Sequence, residues 1–229
     1  MMKLASVIFT LLFAVSSRGL GQSFVNLDFE AASIFTNGAP QAKTLASVAI
    51  PGWTAYIGGS AQSYINYNAT PLSAAAVTLQ GTNTDFDPAI AGGYSIMLWG
   101  EFNPLANARF TNSAAIGQTG QIPPSALTLT FWGNLGGMQA SFNGQPLNFI
   151  VTGSTANYTI YAADISAFAG QTGELLLTDP FYGNNFGGPA TIDNLQFSNT
   201  AVPEPGGMAL FALGLIGLVW NFPRRRRQI

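Results

Sequence analysis

Residues 126–132 read ALTLTFW, and their alternation identifies a β-strand. Leu127, Leu129 and Phe131 share one face of a two-residue repeat, while the residues between them share the other. The same repeat occurs in YSIMLW at residues 94–99. Short segments of this kind, rather than longer helical repeats, predict an all-β protein.

Turn residues separate the alternating segments. Asn143-Gly144 is the dipeptide that most readily adopts the positive φ angles of a tight hairpin turn. It precedes residues 145–151, in which we expect Leu147, Phe149 and Val151 to share one face of a single strand. We therefore predict a β-sandwich of the jelly-roll type, followed by a C-terminal hydrophobic helix.

Both ends of the chain are hydrophobic and are predicted to be targeting signals rather than parts of the fold. Lys3, an apolar run and small residues before Gln22 have the order of a signal peptide, so we expect signal peptidase to remove residues 1–21. Residues 206–222 form an uncharged apolar segment that predicts a transmembrane helix, although it is short against the roughly 20 residues such helices need.

The C-terminal segment, residues 201–229, carries three elements in order. The apolar run stands between the motif Val202, Pro203, Glu204, Pro205 and the basic cluster Arg224, Arg225, Arg226, Arg227. This order resembles the PEP-CTERM sorting signal of Gram-negative bacteria. The resemblance implies that an exosortase recognises the tail at the inner membrane, cuts near Pro-Glu-Pro and releases the protein to the cell surface or an exopolysaccharide matrix. The alternative is a permanent membrane anchor.

Composition excludes several functions for the predicted ectodomain, residues 22–200. Nine acidic and two basic residues give it a net charge of −7, which disfavours contact with the phosphates of nucleic acids. The chain has no cysteine and no histidine, so it lacks disulfides, Ser-His-Asp triads, Cys-His pairs and His-ligated zinc. Two carboxylates suffice for glycoside hydrolysis, but no pattern pairs them, and we predict a non-enzymatic protein.

Several landmarks of the ectodomain resemble a galactose-binding-like jelly roll of bacterial carbohydrate-binding modules. In order, they are VNLDFE at 25–30, IPGW at 50–53, GYSIML at 93–98, LTLTFW at 127–132 and TIDNL at 191–195. The resemblance implies a structural calcium ion where the first and last strands meet, held by Glu30 and Asp193 and joined by Asp28.

The alternation of the last strand bears on the same site. Asp193 has the parity of Leu195 and Phe197, which predicts an inward-pointing carboxylate that needs a partner or a metal. The alternatives are that a bulge turns Asp193 outward or that its oxygens cap nearby amides.

Aromatic residues away from the core are candidates for stacking on sugar rings. Trp99 and Trp132 lie opposite the predicted core faces of their strands, and Tyr182 and Asn184 lie in a glycine-rich loop. Their alternatives are core packing for the tryptophans and a turn without function for the loop. We predict an exported surface or matrix protein that binds exopolysaccharide; the alternatives are a glycan-active enzyme or its accessory domain, and a permanently anchored adhesive domain.

Overall fold

The computed structural model describes residues 22–34, 42–69, 74–82, 88–101, 112–180 and 188–202. Within these ranges it has fourteen strands, one short helix, α1, at Ala46–Ala49 and one 3₁₀ turn at Ser166–Phe168. The strands are β1 Ala42–Leu45, β2 Thr54–Ile57, β3 Ser60–Gln62, β4 Tyr64–Tyr67, β5 Ala76–Gly81, β6 Tyr94–Trp99, β7 Ala114–Gln121, β8 Thr128–Asn134, β9 Gln139–Phe142, β10 Gln145–Leu147, β11 Ile150–Ser154, β12 Thr159–Asp164, β13 Thr172–Asp179 and β14 Ala190–Ser198.

The strands form two sheets, which confirms the prediction of an all-β sandwich. The larger sheet has the order β1-β4-β5-β6-β14-β8-β12-β11, and the smaller has the order β10-β9-β13-β7-β2-β3. Neighbouring strands pair antiparallel, except that β4 and β5 run parallel. The last of the described strands, β14, therefore lies near the middle of the larger sheet, between β6 and β8.

The core lies between the inner faces of the two sheets. Ile96 of β6 and Phe131 of β8 are fully buried from the larger sheet, as the alternation predicts, and Ile116 of β7 and Phe142 of β9 meet them from the smaller sheet. Burying large apolar side chains in this way is the main stabilising contribution to such a sandwich. The ring of Phe131 also stacks on Tyr161, with ring centroids 4.9 Å apart.

The predicted hairpin turn is confirmed at Asn143-Gly144. The two residues have φ angles of 49° and 75°, and they join β9 to β10 with Phe142 directly opposite Gln145. Asparagine and glycine tolerate positive φ better than other residues, so this dipeptide sets the two-residue loop locally.

The prediction of one strand across residues 145–151 is wrong. β10 belongs to the smaller sheet and β11 to the larger sheet, so the chain crosses the sandwich at residues 148–149. Leu147 is buried and Phe149 packs edge-on against the Phe131 ring, but Val151 is 61% exposed. Leu147, Phe149 and Val151 do not share one face, because the two halves of the segment belong to different sheets.

The orientation predicted for Asp193 is also wrong. Ile192 and Leu195 both lie in the core, and a β-bulge interrupts the pairing of β14 with β8 between Asp193 and Gln196. The extra residue turns Asp193 to the outer face of the sheet, opposite Trp132.

The predicted targeting segments lie beyond the part of the chain that the structure describes. The signal peptide at 1–21, the helix at 206–222 and the arginine cluster at 224–227 lie outside the described residues. Among the residues that are described, no helix has the length and apolar character needed to cross a membrane.

Candidate functional site

The N-terminal loop at residues 26–31 is fixed against the sandwich by its main chain. Asn26 and Phe29 adopt positive φ angles, and Asn26 accepts a hydrogen bond from the Trp53 ring N–H at 3.0 Å. Leu195 of β14 donates its main-chain N–H to Leu27 at 2.9 Å. The Phe29 ring is buried against Trp53, whereas the next residue, Glu30, is exposed.

Glu30 reaches the turn that precedes β6. Its Oε1 accepts the main-chain N–H groups of Gly93 at 2.8 Å and Tyr94 at 3.1 Å. Gly92 has a φ angle of +58°, and a Cβ there would overlap the Glu30 carboxylate. The turn therefore needs glycine at position 92 both for its backbone angle and for the approach of the carboxylate.

Asp193 is a buried carboxylate at the same place, with only 2% of the residue exposed. Its Oδ2 accepts the Ala91 N–H at 3.1 Å, and its Oδ1 accepts the Asn194 N–H at 2.6 Å. Burial raises the pKa of the carboxyl from 3.8 to about 7; the two N–H groups oppose this rise, and the charges of Glu30 and Asp28 add to it.

The structure thus places Glu30 and Asp28 close enough to Asp193 for their charges to act on its carboxyl, and these are the three residues that the resemblance implies for calcium. The calcium site itself stays a prediction. Asp28 Oδ1 accepts the Glu30 main-chain N–H at 3.3 Å, which ties two of the acids to one loop. Lys43 is the only basic residue in the described ranges, and it is not among the charges that act on Asp193.

Two buried oxygens lie on the same outer face as Asp193. Ser95 of β6 is directly opposite Gln80 of β5, and it lies one position beyond the last paired residues of β6 and β14. Ser95 Oγ and Gln80 Oε1 are buried and have no hydrogen-bond partner among the described residues. Buried polar atoms nearly always have a hydrogen-bond partner. These two oxygens are therefore available to bind water or a cation.

The described residues do not supply a complete set of acidic metal ligands. No three side chains of the types His, Cys, Asp and Glu lie together in these ranges in a way that would hold a metal ion. A calcium ion beside Asp193 would therefore need main-chain carbonyls, hydroxyl or amide oxygens and water as well as carboxylates, which is within the chemistry of calcium.

Trp132 lies on the outer face of the larger sheet, as predicted, but it does not present a free ring to a cleft. Tyr158 stacks on it, with ring centroids 4.6 Å apart and an angle of 9° between the planes. The pairing of β12 with β8 brings the two rings together, because Ile160 lies directly opposite Trp132. Tyr158 was not singled out from the sequence.

Tyr158 in turn lines an open cleft of about 810 Å³ at one end of the larger sheet. Amide and hydroxyl side chains surround it, including Asn134, Thr155, Asn157 and Thr191. A second cleft, of about 550 Å³, lies along the hairpin of β9 and β10. Neither lining contains an acidic side chain from the described residues.

The other predicted sugar-binding residues are not in the Tyr158 cleft. Trp99 is half-buried on the outer face of β6 and does not line it. Tyr182 and Asn184 lie outside the described residues.

Two acidic residues that the sequence did not single out are buried at the ends of β6 and β13. Asp179 accepts the Gly100 N–H at 2.7 Å, and Glu101 accepts the main-chain and side-chain N–H groups of Asn112, each at 3.1 Å. Both carboxylates satisfy main-chain donors where strands end, which is a structural use of a buried charge.

The described residues form an all-β sandwich with an open polar cleft at one end of the larger sheet and, apart from it, a buried Asp193 on which the charges of Glu30 and Asp28 act. Residues 201–226 match the family model of the PEP-CTERM protein-sorting motif. The motif supports an exported protein that an exosortase sorts to the cell surface or the extracellular space. Neither the curated proteins nor the solved structures contain a match to this chain. The resemblance to galactose-binding-like modules stays a prediction.

Proposed function

We propose that this chain is an exported, non-enzymatic protein of the cell surface or extracellular matrix that binds exopolysaccharide at the Tyr158 cleft. The observation that carries the binding proposal is the stacked Trp132–Tyr158 pair beside a cleft rich in amide and hydroxyl groups. Aromatic rings pack on the C–H face of a sugar, and amides and hydroxyls bond its hydroxyl groups.

The chemistry of the linings supports a binding role over hydrolysis. Glycoside hydrolysis requires two carboxyl groups across the scissile bond, and neither cleft has one among its described lining residues. The net charge of −7 between residues 22 and 200 also favours a neutral polysaccharide over an acidic one.

A glycan array probed with residues 22–202 tests the binding proposal. We expect binding to a neutral polysaccharide, and we expect Tyr158→Ala to weaken it by about tenfold or more because the stacking ring is lost. Tyr64→Ala is the matched control, since Tyr64 is 57% exposed on β4 and does not line the cleft. Equal affinities of the two variants would contradict the assignment, and turnover of the bound glycan would contradict the non-enzymatic role.

We further propose that a structural calcium ion binds beside Asp193. The support is a buried carboxylate without a basic partner in the described ranges, two nearby acids, and the unsatisfied Ser95 Oγ on the same face. The ion would neutralise this cluster and join the N-terminal loop to β14. Glu30 and Asp193 would hold it, with Asp28 nearby.

Thermal unfolding with added calcium and with a chelator tests the ion. At a calcium concentration about 100 times the dissociation constant, we expect the midpoint to rise by about 5 to 10 °C. Asp193→Asn and Glu30→Gln should abolish that rise, whereas Glu174→Gln, on the exposed face of β13, should keep it. A midpoint indifferent to calcium in the wild type would refute the site.

Mass spectrometry of mature protein from the native host tests the processing. We expect a chain that starts at Gln22 and ends near Pro203. Surface material that still ends in Ile229 would instead identify the tail as a permanent anchor.

A further inference from the structure

Both ends of the described chain leave the sandwich at the same end. Gln121, the last residue of β7, donates its main-chain N–H to Gln22 at 2.8 Å. At the start of β8, Leu127 donates its N–H to Ser198, the last residue of β14, also at 2.8 Å. We call this region the exit end; it comprises residues 22–23, 122–128, 164–172 and 198–202.

The fold holds the chain as far as Thr200. The Thr128 hydroxyl donates to the Thr200 carbonyl at 2.6 Å, and the Thr200 N–H donates to Ser198 Oγ at 3.1 Å. The match to the sorting motif begins at the next residue, 201. Pro203 follows Thr200 by three positions, so at most about 10 Å of extended chain separates it from the fold.

The distance from Thr200 to Pro203 is short for an enzyme that binds an extended peptide. Extended peptides are bound over several residues, each of which spans about 3.3 Å. An enzyme that holds four residues ahead of Pro-Glu-Pro would reach back about 13 Å, which is beyond Thr200. The binding surface of such an enzyme must therefore meet the exit end.

The surface of the exit end is poor in charged side chains. Its exposed residues include Pro123, Ser125 and Ala167, and its only charged side chain is Asp164. The Asp164 carboxylate accepts the Ser166 N–H at 2.8 Å, and this hydrogen bond keeps the pKa of the carboxyl below its usual value. The centres of protein interfaces are likewise poor in charged residues.

We propose that the exit end is a docking surface for the exosortase, so that the enzyme reads the folded domain together with the motif. This inference rests on the proposed sorting function. It adds that the domain is part of the substrate, because Thr128 fixes the chain too close to the motif for the two to be recognised separately.

Full-length variants expressed in the native host test the inference. Ser125→Glu combined with Ala167→Glu places two charges on the exit end, and we expect the rate of tail removal to fall about tenfold. The matched control is Ser60→Glu with Ala61→Glu, since β3 begins near the start of β7 and therefore at the opposite end of the sandwich. We expect this control to be processed at the wild-type rate.

A rescue arm separates docking from misfolding. A flexible insert of 12 residues after Val202, which spans about 20 Å, should restore processing of the exit-end variant because contact with the domain is no longer forced. Equal processing of the exit-end variant and the control, or a defect that persists with the insert, would overturn the inference. If the wild type itself kept its tail, the sorting function would fail as well.

Discussion

Asp193 should make the metal-free protein less stable as the pH rises. Its carboxyl is nearly inaccessible, and burial raises its pKa from 3.8 to about 7. The folded chain therefore holds this proton more tightly than the unfolded chain does. The resulting stabilisation is complete below about pH 4 and is lost as the pH rises through about 7.

The expected change in the free energy of unfolding follows from the pKa values of the folded and unfolded chain. Between pH 5 and pH 8, proton linkage at Asp193 should lower the free energy of unfolding by about 2 to 3 kcal/mol. Urea unfolding of residues 22–202 in excess chelator measures this change at each pH. Asp193→Asn keeps the shape of the side chain but cannot titrate, so it should remove that part of the slope.

Asp164→Asn is the matched control for this measurement. Hydrogen bonds from Ser166 lower the pKa of the Asp164 carboxyl below 3.8, so it is ionised in both the folded and the unfolded chain above pH 5. The control should therefore keep the wild-type slope. The reasoning is refuted if Asp193→Asn and wild type lose stability equally between pH 5 and pH 8.

Two further predictions concern stability and are measured by urea unfolding at one pH. Phe131→Ala removes a fully buried ring and should cost about 3 to 5 kcal/mol, whereas Val151→Ala should cost less than about 0.5 kcal/mol; similar losses would contradict the core assignment. Gly92→Ala should cost about 2 kcal/mol or more, because its methyl group overlaps Glu30 in addition to the backbone strain. Gly144→Ala has a comparable positive φ but open space around its Cβ, so it should cost only about 1 to 2 kcal/mol, and equal losses at both glycines would argue against the overlap.

Features of the fold that depend on neighbouring residues alone were predictable from the sequence. The dipeptide Asn143-Gly144 favours a tight turn by its own backbone preferences. In the strand around Phe131, the alternation of apolar residues indicates which face is buried. The crossing between the sheets at residues 148–149 was not predictable, because it follows from which sheet accepts each half of the segment. Local alternation contains no information about that choice.

In the candidate site, too, some features were predictable from local sequence and others depend on how the strands pair. The resemblance paired Glu30 with Asp193, and the structure places them close enough for the charge of Glu30 to act on the Asp193 carboxyl. The inward orientation inferred from parity is wrong, because parity fails where a bulge adds a residue. Asn194 has a φ angle of 49°, and asparagine after Asp193 was the one local sign of that bulge. Tyr158 was missed because only the pairing of β12 with β8 places its ring on Trp132.

The central position of β14 determines when an exported chain can finish folding. Among the described strands, β14 alone joins its neighbours β6 and β8, and the main chain of the N-terminal loop accepts a hydrogen bond from Leu195. Residues 190–198 are translocated after the other described strands and just before the tail. We therefore expect the larger sheet to be completed only near the end of export, shortly before the sorting motif follows.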